Sequence, residues 1–319
     1  MAKPRLKKGR VIMTFALTVG TIVAADSLRR DFFVKPDTTI VVSGNFKGSS
    51  TDPSANFSDP SVMGSNTQQT ATGISYLGYS ELAVPSSQIS SGLLTIINAS
   101  HPASAEDNSS ALVKLSEEKN ECYSLRNDDL VLNQEAADAL NQLMQAYNNA
   151  TGLSDFVVYS TTQPYTYDDS IYPTSYPESV TGYTVDIAIN GSSSVIAYDG
   201  NDEQSWLIEN CADYGFILRY PKDKTSATGQ DYCPWHLRYV GKPHAAVMAQ
   251  NNLCLEEYVD FLRAYKLNTA PLTCEADGVQ YEIYFTGSMG DSTSVRVPIS
   301  GNYTISGNNI DGFILTAVK

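Results

Sequence analysis

Apolar residues recur at helical spacing over one long stretch, residues 133–147. There Ala136, Leu140, Leu143, Met144 and Tyr147 share a face, and Asn133 stands where a cap belongs. This predicts a helix that stops at Thr151-Gly152. Elsewhere the apolar runs are shorter and β-branched or aromatic, and residues 92–98, 156–159, 181–189, 216–220 and 232–239 are predicted strands. A short helix over 202–214 is closed by Gly215 in the C′ position. Helices follow over 243–265, with Pro243 near a first helical position and Leu255, Tyr258, Val259 and Leu262 on one face. Past residue 271 the pattern changes to alternation broken by Gly, Asn and Asp, over 279–285, 294–298, 303–306 and 312–316. The prediction is an α+β domain over 76–270 followed by a small all-β appendage over 271–319.

Two stretches lack periodicity. Residues 26–75 are rich in Ser, Thr, Asn, Gly and Pro and are expected to be a disordered polar linker. Residues 160–177 combine tyrosines and prolines, a composition suited to lining a groove or packing an irregular loop. At the start, Lys3, Arg5, Lys7, Lys8 and Arg10 precede an apolar run over 11–25, the arrangement of an export segment. The run is short against the ~20 residues of a comfortable span, so a cleaved signal peptide and a signal anchor both stay open. The basic start, with Arg29 and Arg30 just beyond, favours a membrane-anchored chain facing outward.

Composition narrows the partners. The 319-residue chain carries a net charge of −14, which argues against nucleic acid. Five cysteines, Cys122, Cys211, Cys233, Cys254 and Cys274, are too few for a disulfide scaffold, and the odd number leaves at least one outside any intrachain pair. Sequons such as Asn98-Ala-Ser occur as often as chance allows in a chain so rich in Asn and Ser.

Candidate chemistry gathers in residues 206–241, dense in aromatic, Pro and Gly residues, where Trp235 and His236 stand side by side. His236 is one of three histidines. Of the others, His101 precedes a proline in a predicted turn, and His244 opens a helix where capping or packing is expected. Asp186 interrupts a β-branched strand, and a carboxylate there must find a cation, a donor or solvent.

Three strings carry a resemblance: Gly-Phe-Ile-Leu-Arg-Tyr-Pro from residue 215, Pro-Trp-His-Leu-Arg-Tyr-Val-Gly from 234, and Leu-Cys-Leu-Glu-Glu-Tyr from 253. From about residue 76 to 265 the chain resembles the VanY-type D-alanyl-D-alanine carboxypeptidases. The resemblance implies a central antiparallel sheet flanked by helices, the VanY/hedgehog-like zinc peptidase fold, with peptidoglycan stem peptide as substrate and zinc as cofactor. It also implies zinc ligands in a His-x-x-Gly-x-x-x-Asp motif and in Glu-Pro-Trp-His, whose glutamate is the general base. This chain has Ser179-Val-Thr-Gly182-Tyr-Thr-Val-Asp186 and Cys233-Pro-Trp-His236. Asp186 and His236 are kept, Ser179 replaces the first ligand, and Cys233 replaces the base. The arginine of the family's Tyr-Arg-Ser/Thr string is also absent after Tyr159, and Pro177 stands where a serine is common. Trp235, Tyr183 and Arg238 are the expected groove residues.

A catalytic zinc needs about three protein ligands and an open position, and Asp186 with His236 supplies two. The expectation is an extracytoplasmic member with impaired catalysis and weak or absent zinc, binding stem peptide or a cell-surface protein. Two alternatives stand beside it. One is an active zinc enzyme with a Cys233/Asp186/His236 ligand set, and the other a surface structural protein assembling through the β appendage.

Overall fold

The computed structural model describes residues 78–104, 112–162, 171–172, 176–201 and 204–319, and the backbone of Thr39–Val41. The expected export segment, most of the polar linker and the middle of the tyrosine-rich stretch lie outside the described residues.

In chain order the strands are β1 (Thr39–Val41), β2 (Tyr79–Pro85), β3 (Leu112–Lys114), β4 (Ser124–Leu125), β5 (Val131–Asn133), β6 (Phe156–Ser160), β7 (Thr184–Asn190), β8 (Val195–Ala197), β9 (Phe216–Tyr220), β10 (Cys233–Tyr239), β11 (Leu272–Ala276), β12 (Val279–Gly287), β13 (Ser292–Pro298), β14 (Tyr303–Gly307) and β15 (Gly312–Val318). The principal helices are α1 (Gln134–Thr151), α2 (Ser205–Asn210), α3 (Lys242–Gln250) and α4 (Leu255–Leu262).

The site-bearing sheet has the order β4-β6-β7-β10-β9, with β8 on β7; β4 runs parallel to β6 and the other pairs are antiparallel. Helix α1 covers one face. Its buried Leu140, Leu143, Met144 and Tyr147 belong to one core with Phe156, Val158, Val185, Ile187 and Leu237. Because side chains alternate along a strand, Val185 and Ile187 in that core send Thr184, Asp186 and Ala188 to the opposite face. The ends of α1 follow the sequence reading: the Asn133 side chain accepts from the backbone N–H of Glu135, and Gly152 adopts φ 77° past the last turn.

The C-terminal strands form a second sheet, β1-β11-β12-β15-β14. Strand β13 leaves it to pair antiparallel with β2, more than 200 residues earlier in the chain, Val295 opposite Leu82 and Val297 opposite Ser80. Val84, Val295, Val297, Tyr284, Phe313 and Leu315 close a shared core.

Two expectations are corrected. Residues 92–98 are not a strand. Leu94, Ile96 and Ile97 are buried, but the backbone bonds of Leu94 and Ile96 run to the end of β14 and the residues after it: Leu94 N–H to Ser306 Oγ at 2.9 Å, Ile96 N–H to the Asn308 carbonyl at 3.2 Å, and Asn309 Nδ2 to the Ile96 carbonyl at 3.0 Å. The approach is close enough that a Cβ on Gly92, which has φ +115°, would lie 2.5 Å from Ser306 Oγ. Within the expected linker, β-branched Thr39–Val41 forms β1, parallel to β11.

Candidate functional site

The site lies on the face of the first sheet away from α1. Strand β10 pairs His236 opposite Asp186 of β7, and its register on β9 slips between Cys233 and Leu237. Such a slip re-aims side chains next to a site. His236 and Asp186 are both buried, and His236 Nδ1 lies 2.6 Å from Asp186 Oδ1.

The other ring nitrogen is held from the far side. A short 3₁₀ turn, Pro177–Thr181, runs into Gly182 at φ 73° and carries Glu178 and Ser179 inward. Glu178 Oε1 is 2.9 Å from His236 Nε2, and Glu178 Oε2 accepts from Arg219 Nε at 3.0 Å. Tyr220 also donates to Glu178, at 3.2 Å. Arg219 continues outward as a bidentate pair with Glu256 of α4, at 2.9 and 2.6 Å. Burial alone raises a carboxyl pKa, but here Arg219, the His236 hydrogen bond and Arg238 outweigh it and hold Glu178 well below the usual carboxylate range. For His236, burial disfavours charge, yet Asp186 and Glu178 prevail and raise its pKa. With a carboxylate at each ring nitrogen, the protonated form of His236 would donate in both directions.

Cys233 and Tyr176 complete the centre. The Tyr176 ring lies 4.3 Å from the His236 ring, and its hydroxyl is 2.6 Å from Cys233 Sγ. The Tyr220 ring stacks on His236 at 5.4 Å. Cys233 also donates to the Asp231 carbonyl at 3.2 Å. Burial pushes its thiol above the ordinary value, against the lowering effect of the Tyr176 hydrogen bond.

Of the residues singled out in the sequence, Asp186 and His236 are in direct contact. Cys233 borders them through Tyr176, and Ser179 is buried on the turn that carries Glu178. Trp235 is half-buried and stacks on Tyr172, ring centroids 4.5 Å apart. Arg238 and Tyr183, expected in the groove, lie buried in the framework beside the centre. Arg238 is fully buried, donating to the Leu93 carbonyl at 3.2 Å and to Thr181 at 3.1 Å, because it ties the sheet to the preceding loop. Tyr183 accepts from the Asn133 side chain at 3.3 Å, inside the same framework. His244 packs as expected, its Nδ1 2.8 Å from the Tyr258 hydroxyl and Nε2 3.0 Å from Thr316 Oγ1. His101 lies 3.3 Å from the Asn98 side chain in a turn.

Sequence reasoning missed Glu178, Tyr176 and the Arg219–Glu256 pair. Their only signal was position: Glu178 adjoins Ser179, and Arg219 and Glu256 lie inside the strings that carried the resemblance.

A zinc site here would have to draw on these residues. Metal-bound histidines characteristically hand their second nitrogen to a carboxylate, and Glu178 does this, leaving Nδ1 aimed at Asp186. The donor set itself falls short, because Ser179 is a neutral hydroxyl and Cys233 is a protonated thiol already hydrogen-bonded. Among the described residues no group of three or more His, Cys, Asp and Glu side chains is arranged to hold a metal ion. The outer frame of a metal site is therefore present with an inner set that does not fit a catalytic zinc.

The fold and the paired Asp-His centre are those of a peptidoglycan-directed metallopeptidase family. Residues 173–242 match the family described as VanY, D-alanyl-D-alanine carboxypeptidase. A D-alanyl-D-alanine carboxypeptidase of Enterococcus faecium is 34% identical over 249 residues, covering 74% of this chain and 78% of that protein. A bifunctional D-Ala-D-Ala dipeptidase and carboxypeptidase of Enterococcus gallinarum, VanXYC, is 53% identical over 56 residues, covering 18% of this chain and 30% of that one. The solved structure of the vancomycin resistance D,D-dipeptidase VanXYg, in complex with a D-Ala-D-Ala phosphinate analog, superposes with a TM-score of 0.63 at 25% identity, over 76% of this chain and 99% of that chain. The chain belongs to the VanY family of D-alanyl-D-alanine carboxypeptidases.

Proposed function

We propose that this protein recognises peptidoglycan stem peptides ending in D-Ala outside the cytoplasm, and that its hydrolytic centre is impaired. The observation that carries the reading is the inner donor set: Asp186 and His236 remain, whereas Ser179 and Cys233 occupy the places that the family resemblance gives to a ligand and the base. General-base catalysis contributes on the order of 10²–10⁴-fold. A buried thiol above its ordinary pKa, hydrogen-bonded to Tyr176, is poorly suited to take a proton from water. Asp186 and His236 are the two donors left of the family's set, one short of the about three that a catalytic zinc takes. The residues 76–270 are the recognising unit in this proposal, 271–319 its β appendage, and residues 1–25 the tether to the membrane.

The test is to incubate the purified exported portion with zinc and a stem peptide ending in D-Ala-D-Ala. Peptide binding without D-alanine release is expected, and release above a metal-free control overturns the impaired centre.

The retained Glu178–His236 contact favours a second reading, an active zinc carboxypeptidase with Cys233, Asp186 and His236 as ligands. It requires about one zinc per chain, lost together with activity in Cys233→Ala.

A further inference from the structure

Helix α2 stands at the start of the 206–241 stretch, yet its Trp206 has no part in the His236 centre. Trp206 is half-buried, its ring set against Tyr147 of α1 with centroids 5.9 Å apart. With Thr151, Ser205 and Glu209 it lines a surface hollow of about 390 Å³. This volume falls in the ~300–1,000 Å³ range of small-ligand sites. Tyr147 and Leu207, on the elements that build the hollow, belong to the core on the α1 side of the sheet, whereas Asp186 lies on the opposite face. The hollow is thus separate from the His236 centre.

Its chemistry is specific. An indole offers a flat apolar face, and a carboxylate and two hydroxyls border it. The Ser205 hydroxyl donates to Glu209 Oε1 at 3.1 Å, which orients the exposed carboxylate beside the indole. Thr151 donates to the Tyr147 carbonyl at 2.8 Å and accepts from Leu153 N–H at 3.1 Å, so its oxygen is fixed at the rim. An aromatic face beside acceptor oxygens, with no basic side chain among the described lining residues, suits a ligand with an apolar C–H face and several O–H or N–H donors. A nucleotide or other anion would meet Glu209 with no cation among the described lining residues to offset it. We infer that the hollow at Trp206, Ser205, Glu209 and Thr151 is a saccharide subsite, taking a neutral N-acetylated sugar of a glycan strand. This inference rests on the stem-peptide reading for its biological sense, since the peptide and glycan parts of one polymer would then reach opposite faces of the sheet. It rests on the hollow alone for its chemistry.

The experiment uses the full chain and a soluble N-acetylglucosamine tetramer as probe, titrated by calorimetry and by tryptophan fluorescence. A Kd of about 1 mM or tighter is expected. Trp206→Ala should weaken it at least tenfold and Glu209→Gln several-fold, with thermal melts confirming that both variants stay folded. Glu209 is exposed, so its variant keeps the test open even where Trp206→Ala lowers stability. Absence of binding at millimolar tetramer, or binding unchanged in both variants, overturns the subsite. Binding of a D-Ala-D-Ala stem peptide is measured in the same variants and should be unchanged. A parent chain that binds peptide but no tetramer sinks this inference alone, whereas a parent chain that binds tetramer but no peptide sinks the function proposed above.

Discussion

Glu178 is the residue on which the buried charges of the centre converge. It faces Arg219, His236, Tyr220 and, at 3.5 Å, Arg238, from within a turn that admits no solvent to it. Replacing one member of such a group leaves the others charged and unpaired, which costs on the order of 3–5 kcal/mol. Glu178→Gln is therefore expected to lower unfolding free energy by about that amount, read from urea denaturation at neutral pH. A second prediction uses the frame Glu178 maintains. Ser179→His with Cys233→Glu supplies a third ligand and a carboxylate to a histidine already oriented from behind. Zinc measured after dialysis should rise to about one per chain; a folded double variant that takes up no more zinc than the parent would show the frame to be inadequate. At this scale the sequence was half legible. Asp186, His236, Ser179 and Cys233 could be singled out because the motifs of the family resemblance name their positions. Glu178 and Tyr176 could not, since a carboxylate and a phenol beside a turn acquire roles only from what the fold brings against them.

Single elements were legible where local physics decides them. Helix α1 has both a periodic apolar face and a cap, and β9 and β10 are short apolar runs bounded by turn residues. Residues 92–98 have the composition of a strand, but their hydrogen-bond partners, Ser306, Asn308 and Asn309, lie some 200 residues away, and no local pattern announces them. The helix α3 shows the same dependence through His244, whose imidazole joins Tyr258 of α4 to Thr316 of β15. Burial alone lowers its pKa to about 3. In the unfolded chain it titrates near ~6.5, so between these values the unfolded state binds the extra proton and stability rises with pH. The contribution is complete above ~6.5 and is lost as pH falls towards 3, on the order of a few kcal/mol in all. Unfolding free energies at pH 7 and pH 4.5 should differ less for His244→Gln than for the parent; equal differences would remove His244 from the acid response.

For the whole molecule, the α+β class and the C-terminal strands were readable, but the stitching between them was not. Strand β13 pairs with β2, Ser306 takes the N–H of Leu94, and Thr316 meets His244, so the C-terminal strands are bound to the early chain at separate points. Pairing across such distances is invisible to periodicity because loop closure, not local preference, sets its cost. Removal of Cys274 to Lys319 should therefore expose β2 and the buried residues 94–97. The expected result is a chain without a single cooperative unfolding transition; a sharp two-state melt in the truncated protein would mean that the remainder folds alone.

The five thiols give this stitched fold a further property. Cys122, Cys211, Cys233, Cys254 and Cys274 are all free and all buried, spread over helix, strand and loop. Folded, they are shielded from exchange; unfolded, all five are exposed together in a chain with no native disulfide to guide them. In an oxidising medium maturation is thus a race between collapse and thiol chemistry, and a chain that loses it is trapped by covalent bonds the native state never contains. Burial in the folded chain is what keeps these five thiols from exchange.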